Sequence, residues 1–192
     1  MTALVLTTFT ATSCIGRGRP EMLATLNEER TGLARCAFES LDLDTHVGEV
    51  SGIEAVELPD WLREFACRNN RLALLGLRQD GFAEAVAQSA SRWGRRRVGV
   101  FLGTSTSGIL ETELAYRRRD PLSGALPDSF HYRGTHNSFS LADFVRQLLQ
   151  LQGPAAVVCS ACSSSAKVFG TARRMIAAGL IDAALEIGRA HV

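Results

Sequence analysis

VVCSACSSSAKVFG, residues 157–170, joins an apolar run to two cysteines two residues apart, a serine run and the opening of a helical pattern. A strand that passes through a small-residue turn straight into a helix is the building unit of an α/β protein. The pattern extends outward on both sides. AAVV at residues 155–158 supplies the strand, the helix runs through Ala178 with Gly179 as its stop, and LIDAAL at residues 180–185 reads as the next strand. The same rhythm occurs earlier, where VGVFL at residues 98–102 is a continuous apolar run of buried-strand type that leads into GTSTSG and then a helical ILETELAYRRR.

The amino-terminal part is less regular. Ala3 to Thr7 reads as a first strand, followed by a loop with Gly16 and Gly18, a short helix opened by Pro20, and a strand at Val47 to Val50. From Pro59 a long helical stretch places Leu72, Leu75, Phe82 and Val86 at mostly helical spacing, with Gly76 and Gly81 as interruptions.

With 192 residues, 46% of them hydrophobic, 21% charged and a net charge of +1, the chain has the balance of one soluble globular domain. That charge excludes binding to nucleic acid by bulk attraction. No apolar run approaches the roughly 20 residues that span a bilayer. MTALVLTTFTATSC ends in a cysteine but has no Lys or Arg before it, so it does not read as a lipoprotein signal. A cytoplasmic protein is expected, with Cys14, Cys36, Cys67, Cys159 and Cys162 as reduced thiols.

Among candidate sites, GTSTSG lacks the Lys-Ser/Thr ending of a phosphate-binding loop and the spacing of a dinucleotide site. Nor is it a nucleophile elbow, because Ser107 stands where the second glycine is needed. It reads as a turn packed closely against neighbouring backbone. The triplets at Arg95 to Arg97 and Arg117 to Arg119 read as a solvated face, with docking of an acidic partner as the alternative. His131 and His136 share a polar loop with Asn137 and have no ligand-spaced partner, so a structural role is expected.

The cysteine pair carries more information. A zinc site needs a second ligand pair, which the chain lacks. A thioredoxin-like pair usually opens a compact βαβ unit, whereas this one comes late in the chain. Cys162 falls at the helix entrance, where backbone N–H groups and the helix dipole favour thiolate, and Ser160, Ala161, Ser163 and Ser164 leave room for a carbonyl to approach. Cys162 therefore reads as a nucleophile and Cys159, at the end of the strand run, as a small buried core residue.

SACSSSAKVFGTARRMIAAGLIDAAL resembles the active-site segment of β-ketoacyl-acyl carrier protein synthases, the elongating condensing enzymes of fatty acid and polyketide synthesis. QGPAAVV, VGVFLGTSTSG and LTTFTATSCIGRG extend the resemblance over the chain to Leu185, and RNNRLA with FHYRGTHNSFS resembles synthases of aryl polyene pigment clusters. The resemblance implies the amino-terminal half of a thiolase-like, five-layer αβαβα fold. It also implies a 3-oxoacyl-carrier-protein synthase, in which Cys162 accepts the acyl group as a thioester and its backbone N–H serves the oxyanion hole. Malonyl carrier protein then loses CO2, and the carbanion attacks that thioester to extend the chain by two carbons. By position, Thr106 resembles the residue that gates the acyl tunnel, and the strand Ala155 to Val158 resembles the one that pairs across the dimer. The implied partners are an acyl carrier protein with phosphopantetheine-linked acyl and malonyl groups and a second synthase subunit, in a homodimer or heterodimer, with no nucleic acid, no membrane, no cofactor and no metal.

The resemblance also implies two histidines, a lysine and a second oxyanion-hole donor in a carboxy-terminal half, and His46, His131, His136 and His191 do not stand in those motifs. Residues 1–185 are read as the synthase N-terminal domain. IGRAHV at residues 187–192 resembles a translated sequencing adapter, so residues 186–192 are expected to be a non-native tail on an incomplete, inactive fragment. Two other readings stay open: a thiolase acting on coenzyme A thioesters, and a non-enzymatic α/β module whose CxxC cysteines form a redox pair.

Overall fold

A computed structural model describes residues 3–37, 43–104 and 106–188. The chain begins with two small antiparallel hairpins, β1 (Thr12–Ser13) with β2 (Gly16–Arg17) and β3 (Leu33–Arg35) with β4 (His46–Gly48), separated by helix α1 (Gly18–Asn27). The stretch from Pro59 resolves into a 3-10 segment at Asp60–Phe65, α2 (Arg68–Leu77) and α3 (Phe82–Trp93). Asp80 and Gly81 separate the two helices, each with a positive φ that helical backbone does not adopt. β5 (Val98–Gly103), α4 (Ile109–Arg117), α5 (Tyr132–Thr135), α6 (Ser140–Leu148), β6 (Ala155–Val158), α7 (Ser164–Ala177) and β7 (Ala183–Gly188) follow.

β5, β6 and β7 form a three-stranded parallel sheet in the order β6-β5-β7. All six residues of β5 are buried, as a central strand covered on both faces requires. Val98, Val100 and Leu102 point into a core shared with Leu141, Phe144 and Val145 of α6 and Leu74, Leu75 and Leu77 of α2. Phe101 points the other way, onto Val168 and Ala172 of α7 and Ile181. Each fully buried side chain of this kind contributes about 1.5–3 kcal/mol. The two crossovers leave β5 and β6 in opposite directions across the sheet, and crossovers of one hand that run oppositely must lie on opposite faces. α6 and α7 therefore sandwich the sheet.

The register brings Val158, Gly103 and Gly188 level at the carboxyl edge of the sheet. At the opposite edge the triplet Arg95–Arg97 is a latch. Gln152 N–H donates to the Arg95 carbonyl and Asp182 N–H to the Arg97 carbonyl, both at 2.9 Å, and Arg97 Nε reaches Asp182 Oδ2 at 2.6 Å. Its arginines are part-solvated, as expected, but Arg97 also spends its donors on the start of β7. Helix α7 stops at Gly179 in a Schellman turn: φ is +68° there, Leu180 N–H donates to Met175 O, and Gly179 N–H donates to Ile176 O.

Two expectations fail. Ala3 to Thr7 is not a strand, because among the described residues nothing pairs with it, and Val5 is 82% exposed. The second short strand lies at His46–Gly48 rather than Val47 to Val50, since its register is set by pairing with Leu33–Arg35. Of the expected tail, residues 186–188 complete β7 beside Phe101, Leu102 and Gly103, and residues 189–192 lie outside the described residues.

A Cβ on Gly103 would lie 2.5 Å from Ser164 C and Ser165 N, which leaves it no room to fit. Gly103→Ala is expected to lower stability by about 1–3 kcal/mol in chemical denaturation. Gly170, within α7, has open space apart from the flexible end of Arg174, so Gly170→Ala is expected to raise stability by about 0.5–1 kcal/mol.

Candidate active site

The turn between β6 and α7 closes on itself through the serine run. Ser164, 1% exposed, accepts a hydrogen bond from Ser160 N–H at 2.8 Å and donates its own hydroxyl to the Ala161 carbonyl at 2.7 Å. Ser163 adds a hydroxyl bond to the Ser160 carbonyl at 2.9 Å and a backbone bond to it at 3.3 Å. These contacts hold Ala161 at a φ of +52°, a left-handed conformation that costs a non-glycine residue about 1–2 kcal/mol. Cys162 follows directly, inside the 3-10 turn Ala161–Ser163 that leads into α7, and its side chain is exposed.

The thiol therefore stands at a helix entrance, as the sequence implies, at the carboxyl edge of a parallel sheet. Ligands of open α/β folds bind at that edge. The first turn of a helix also carries backbone N–H groups with no intrahelical acceptor, which suits developing negative charge. Cys159 departs from expectation: it is exposed, not buried. It lies one residue beyond β6, an edge strand whose four residues are only half-buried, so neither helix layer covers the side chain where the chain leaves the sheet.

The neighbouring strand sends its own turn from the same edge. Thr104, at the end of β5, is fully buried and donates its N–H to the Val158 carbonyl at 3.2 Å, which ties the two turns together at their bases. Thr106 is an exposed residue of the bend two positions on. Ser107, at φ +48°, is buried and bonds through its hydroxyl to the Asn137 carbonyl at 3.1 Å. A Cβ on Gly108 would fall 2.3 Å from the Thr135 carbonyl. The described part of GTSTSG is thus a turn packed on backbone, as read from the sequence.

The segment it packs against is fixed in turn by Asn70, whose amide donates to the Phe65 carbonyl at 2.9 Å, the Gly134 carbonyl at 3.3 Å and Ser140 Oγ at 3.2 Å. His136 shares a hydrogen bond with Thr112, a structural role, and its ring stacks edge-on with Tyr132. His131 lines a cleft of about 470 Å³ with Arg63, Glu111 and Phe130, and a second cleft of about 350 Å³ is lined by Cys14, Arg17 and Glu49. Cys162 lines neither. Among the described residues no group of three or more His, Cys, Asp or Glu could hold a metal ion, and no helix is long and apolar enough to cross a membrane.

Sequence reasoning read Ser164 and Ala161 only as small neighbours of the thiol and gave Gly103 no role of its own, although a glycine ending a buried strand next to a serine-rich helix start is a readable sign of close backbone approach. It also missed Glu186, which alternates with core-facing Leu185 and Ile187 and so lies on the α7 face opposite Phe101. One carboxylate oxygen of Glu186 is buried without a hydrogen-bond partner, and burial pushes its carboxyl up from 4.5 to about 7.

The family model described as beta-ketoacyl synthase, N-terminal domain, matches residues 71–190. Among solved structures, the chain is similar to a ketosynthase, ApeO, in complex with its chain length factor, ApeC, from Xenorhabdus doucetiae. The identity is 27% and the TM-score 0.71, over 90% of this chain and 43% of that one. It is similar in fold to a type II PKS ketosynthase, AntDE, solved with its acyl-carrier protein AntF and bound to the hexaketide, at 12% identity and a TM-score of 0.61 over 94% of this chain and 48% of that one. A beta-ketoacyl synthase from Burkholderia phymatum STM815 gives 22% identity and a TM-score of 0.57 over 88% and 42%. The chain thus spans less than half the length of each. No protein of curated function matches it significantly.

A carboxyl whose pKa rises on folding binds a proton in the folded state that the unfolded chain releases, so stability falls as pH rises through that window. For Glu186 the window runs from 4.5 to about 7. Glu186→Gln is expected to melt higher than the parent chain at about pH 8, with the difference closing towards about pH 4.5. Thermal denaturation of both proteins across that range measures it.

Proposed function

The chain belongs to the beta-ketoacyl synthase family, through the N-terminal domain of that family, and from this we propose that Cys162 is its acyl acceptor. The observation that carries the reading is the exposed thiol at the entrance of α7, held in a closed turn at the carboxyl edge of a parallel sheet. Cys162 Sγ attacks the carbonyl of an acyl thioester borne on the phosphopantetheine of an acyl carrier protein. The carrier thiol leaves and a Cys162 thioester forms. The N–H of Cys162, fixed by the turn, donates to the oxyanion of the tetrahedral intermediate. Decarboxylation of malonyl carrier protein then yields the carbanion that displaces Cys162 and gives a 3-oxoacyl product two carbons longer.

Condensation in such synthases also draws on two histidines and a lysine that match nothing in this chain, so the 192-residue chain by itself is expected to show no condensing turnover. Thr106, on the neighbouring turn, gates the acyl chain in this reading. The edge of β6 turned away from β5, which no described strand covers, pairs with a second synthase subunit. Exposed Arg117 and Arg119 offer positive charge to an acidic carrier protein. The likeness to ApeO, together with RNNRLA and FHYRGTHNSFS, supports a specialised polyketide or aryl polyene pathway. A thiolase acting on coenzyme A thioesters is the alternative within the superfamily, and the ACSSS run and GTSTSG turn favour the carrier-protein enzyme.

In the reduced protein, iodoacetamide is expected to modify Cys162 ahead of the other thiols, as read by peptide mass spectrometry. Cys162→Ala is expected to lower acyl transfer in the full-length gene product at least about 10³-fold. Acyl transfer that survives this substitution, or first modification at Cys159, contradicts the assignment.

A further inference from the structure

Exposure of Cys159 leaves a second thiol on the turn of the candidate nucleophile, and acyl transfer gives it no role. The two cysteines are separated only by Ser160 and Ala161, whose side chains are small enough not to obstruct an approach between the sulfurs. The chain here is folded back and not extended. Ser160 and Ser163 are joined by a backbone hydrogen bond at 3.3 Å, and Ser160 N–H is held by Ser164 Oγ at 2.8 Å. The backbone bond closes a turn over Ser160–Ser163, whose end Cα atoms lie within about 7 Å. Cys159 and Cys162 each directly precede one of those ends, and a disulfide spans Cα separations of about 4.4–6.8 Å. Cys14, Cys36 and Cys67, by contrast, are half-buried or buried on other elements.

We propose that Cys159 and Cys162 form a site of reversible oxidation, in which a low-molecular-weight disulfide such as glutathione disulfide converts the two thiols into a Cys159–Cys162 disulfide. The thiolate of Cys162 attacks one sulfur of glutathione disulfide, and a glutathione thiolate leaves and takes up a proton. Cys159 then loses its proton and attacks Cys162 Sγ in the mixed disulfide, forming the Cys159–Cys162 bond and expelling the second glutathione thiolate. Two protein thiols are oxidised by two electrons while one glutathione disulfide is reduced to two glutathione molecules. The disulfide itself depends only on the turn. Its consequence, that an oxidised protein cannot accept an acyl group and is protected from irreversible oxidation at Cys162, rests on the reading of Cys162 as the acyl acceptor.

Trypsin releases both cysteines, and no other, on one peptide spanning residues 147–167. The native protein is incubated with glutathione disulfide, alkylated with iodoacetamide and digested without reduction. The expected peptide is lighter than its reduced form by two hydrogens, carries neither glutathione nor alkyl group, and recovers both alkylation sites after dithiothreitol. Iodoacetamide incorporation at Cys162 is expected to fall at least about tenfold on oxidation. Cys159→Ser and Cys159→Ala are expected to trap glutathione on Cys162. A native protein that keeps glutathione on Cys162 as these variants do, or that does not react, overturns the proposal. If the linked peptide forms but Cys162 of the reduced protein is not the preferred iodoacetamide target, the redox site stands and the acyl-acceptor reading falls; the reverse result separates them the other way.

Discussion

The contact on which the candidate site depends is the approach of the first turn of α7 to Gly103. Ser164 and Ser165 backbone atoms sit where a side chain at residue 103 would be. That approach sets the helix entrance directly over the end of the central strand, and Val168 and Ala172 of the same helix then seal onto Phe101. A larger residue at 103 would lift the helix and, with it, the turn that carries Cys162. The thiol's position is therefore a consequence of sheet packing, and the serine hydrogen bonds refine it within the turn.

The central α/β unit was legible because its patterning is unambiguous. VGVFL, AAVV and LIDAAL are short apolar runs, each next to a glycine or a small-residue turn; the first two become β5 and β6 of one parallel sheet, whereas of LIDAAL only Ala183 to Leu185 enter β7, which runs on to Gly188. Gly179 was a readable stop because only a residue tolerant of left-handed backbone fits there. Ala3 to Thr7 looked the same in composition yet forms no strand: a strand exists by pairing, and composition cannot say whether a neighbour is present. The position of Cys162 could be read from the sequence, since it lies where strand gives way to helix. Cys159 could not, because burial at the end of a strand depends on whether the strand is central or at the edge, and that is a property of sheet order.

Polar groups divide the labour around this frame. Asn70 pins the segment that carries Gly134 and Ser140, and that segment supports the turn after β5 through Gly108 and Ser107. Arg97 and Asp182 hold the far edge of the sheet, and the Arg97 guanidinium keeps the Asp182 carboxyl below its usual range. Glu186 works against the fold, placing a carboxylate on a face otherwise given to Phe101, Ala156 and Ala184. The carboxyl edge is left with small residues, two turns tied at their bases and two exposed thiols, a surface suited to chemistry at sulfur.

The central claim is that this turn presents Cys162 to an acyl thioester. It is tested most directly by incubating the full-length gene product with an isotopically labelled acyl-phosphopantetheine thioester and locating the label by peptide mass spectrometry. One acyl group on Cys162, released by hydroxylamine as a thioester must be, is the result expected from the geometry. Label on Cys159 or elsewhere, or a bond that resists hydroxylamine, would contradict it.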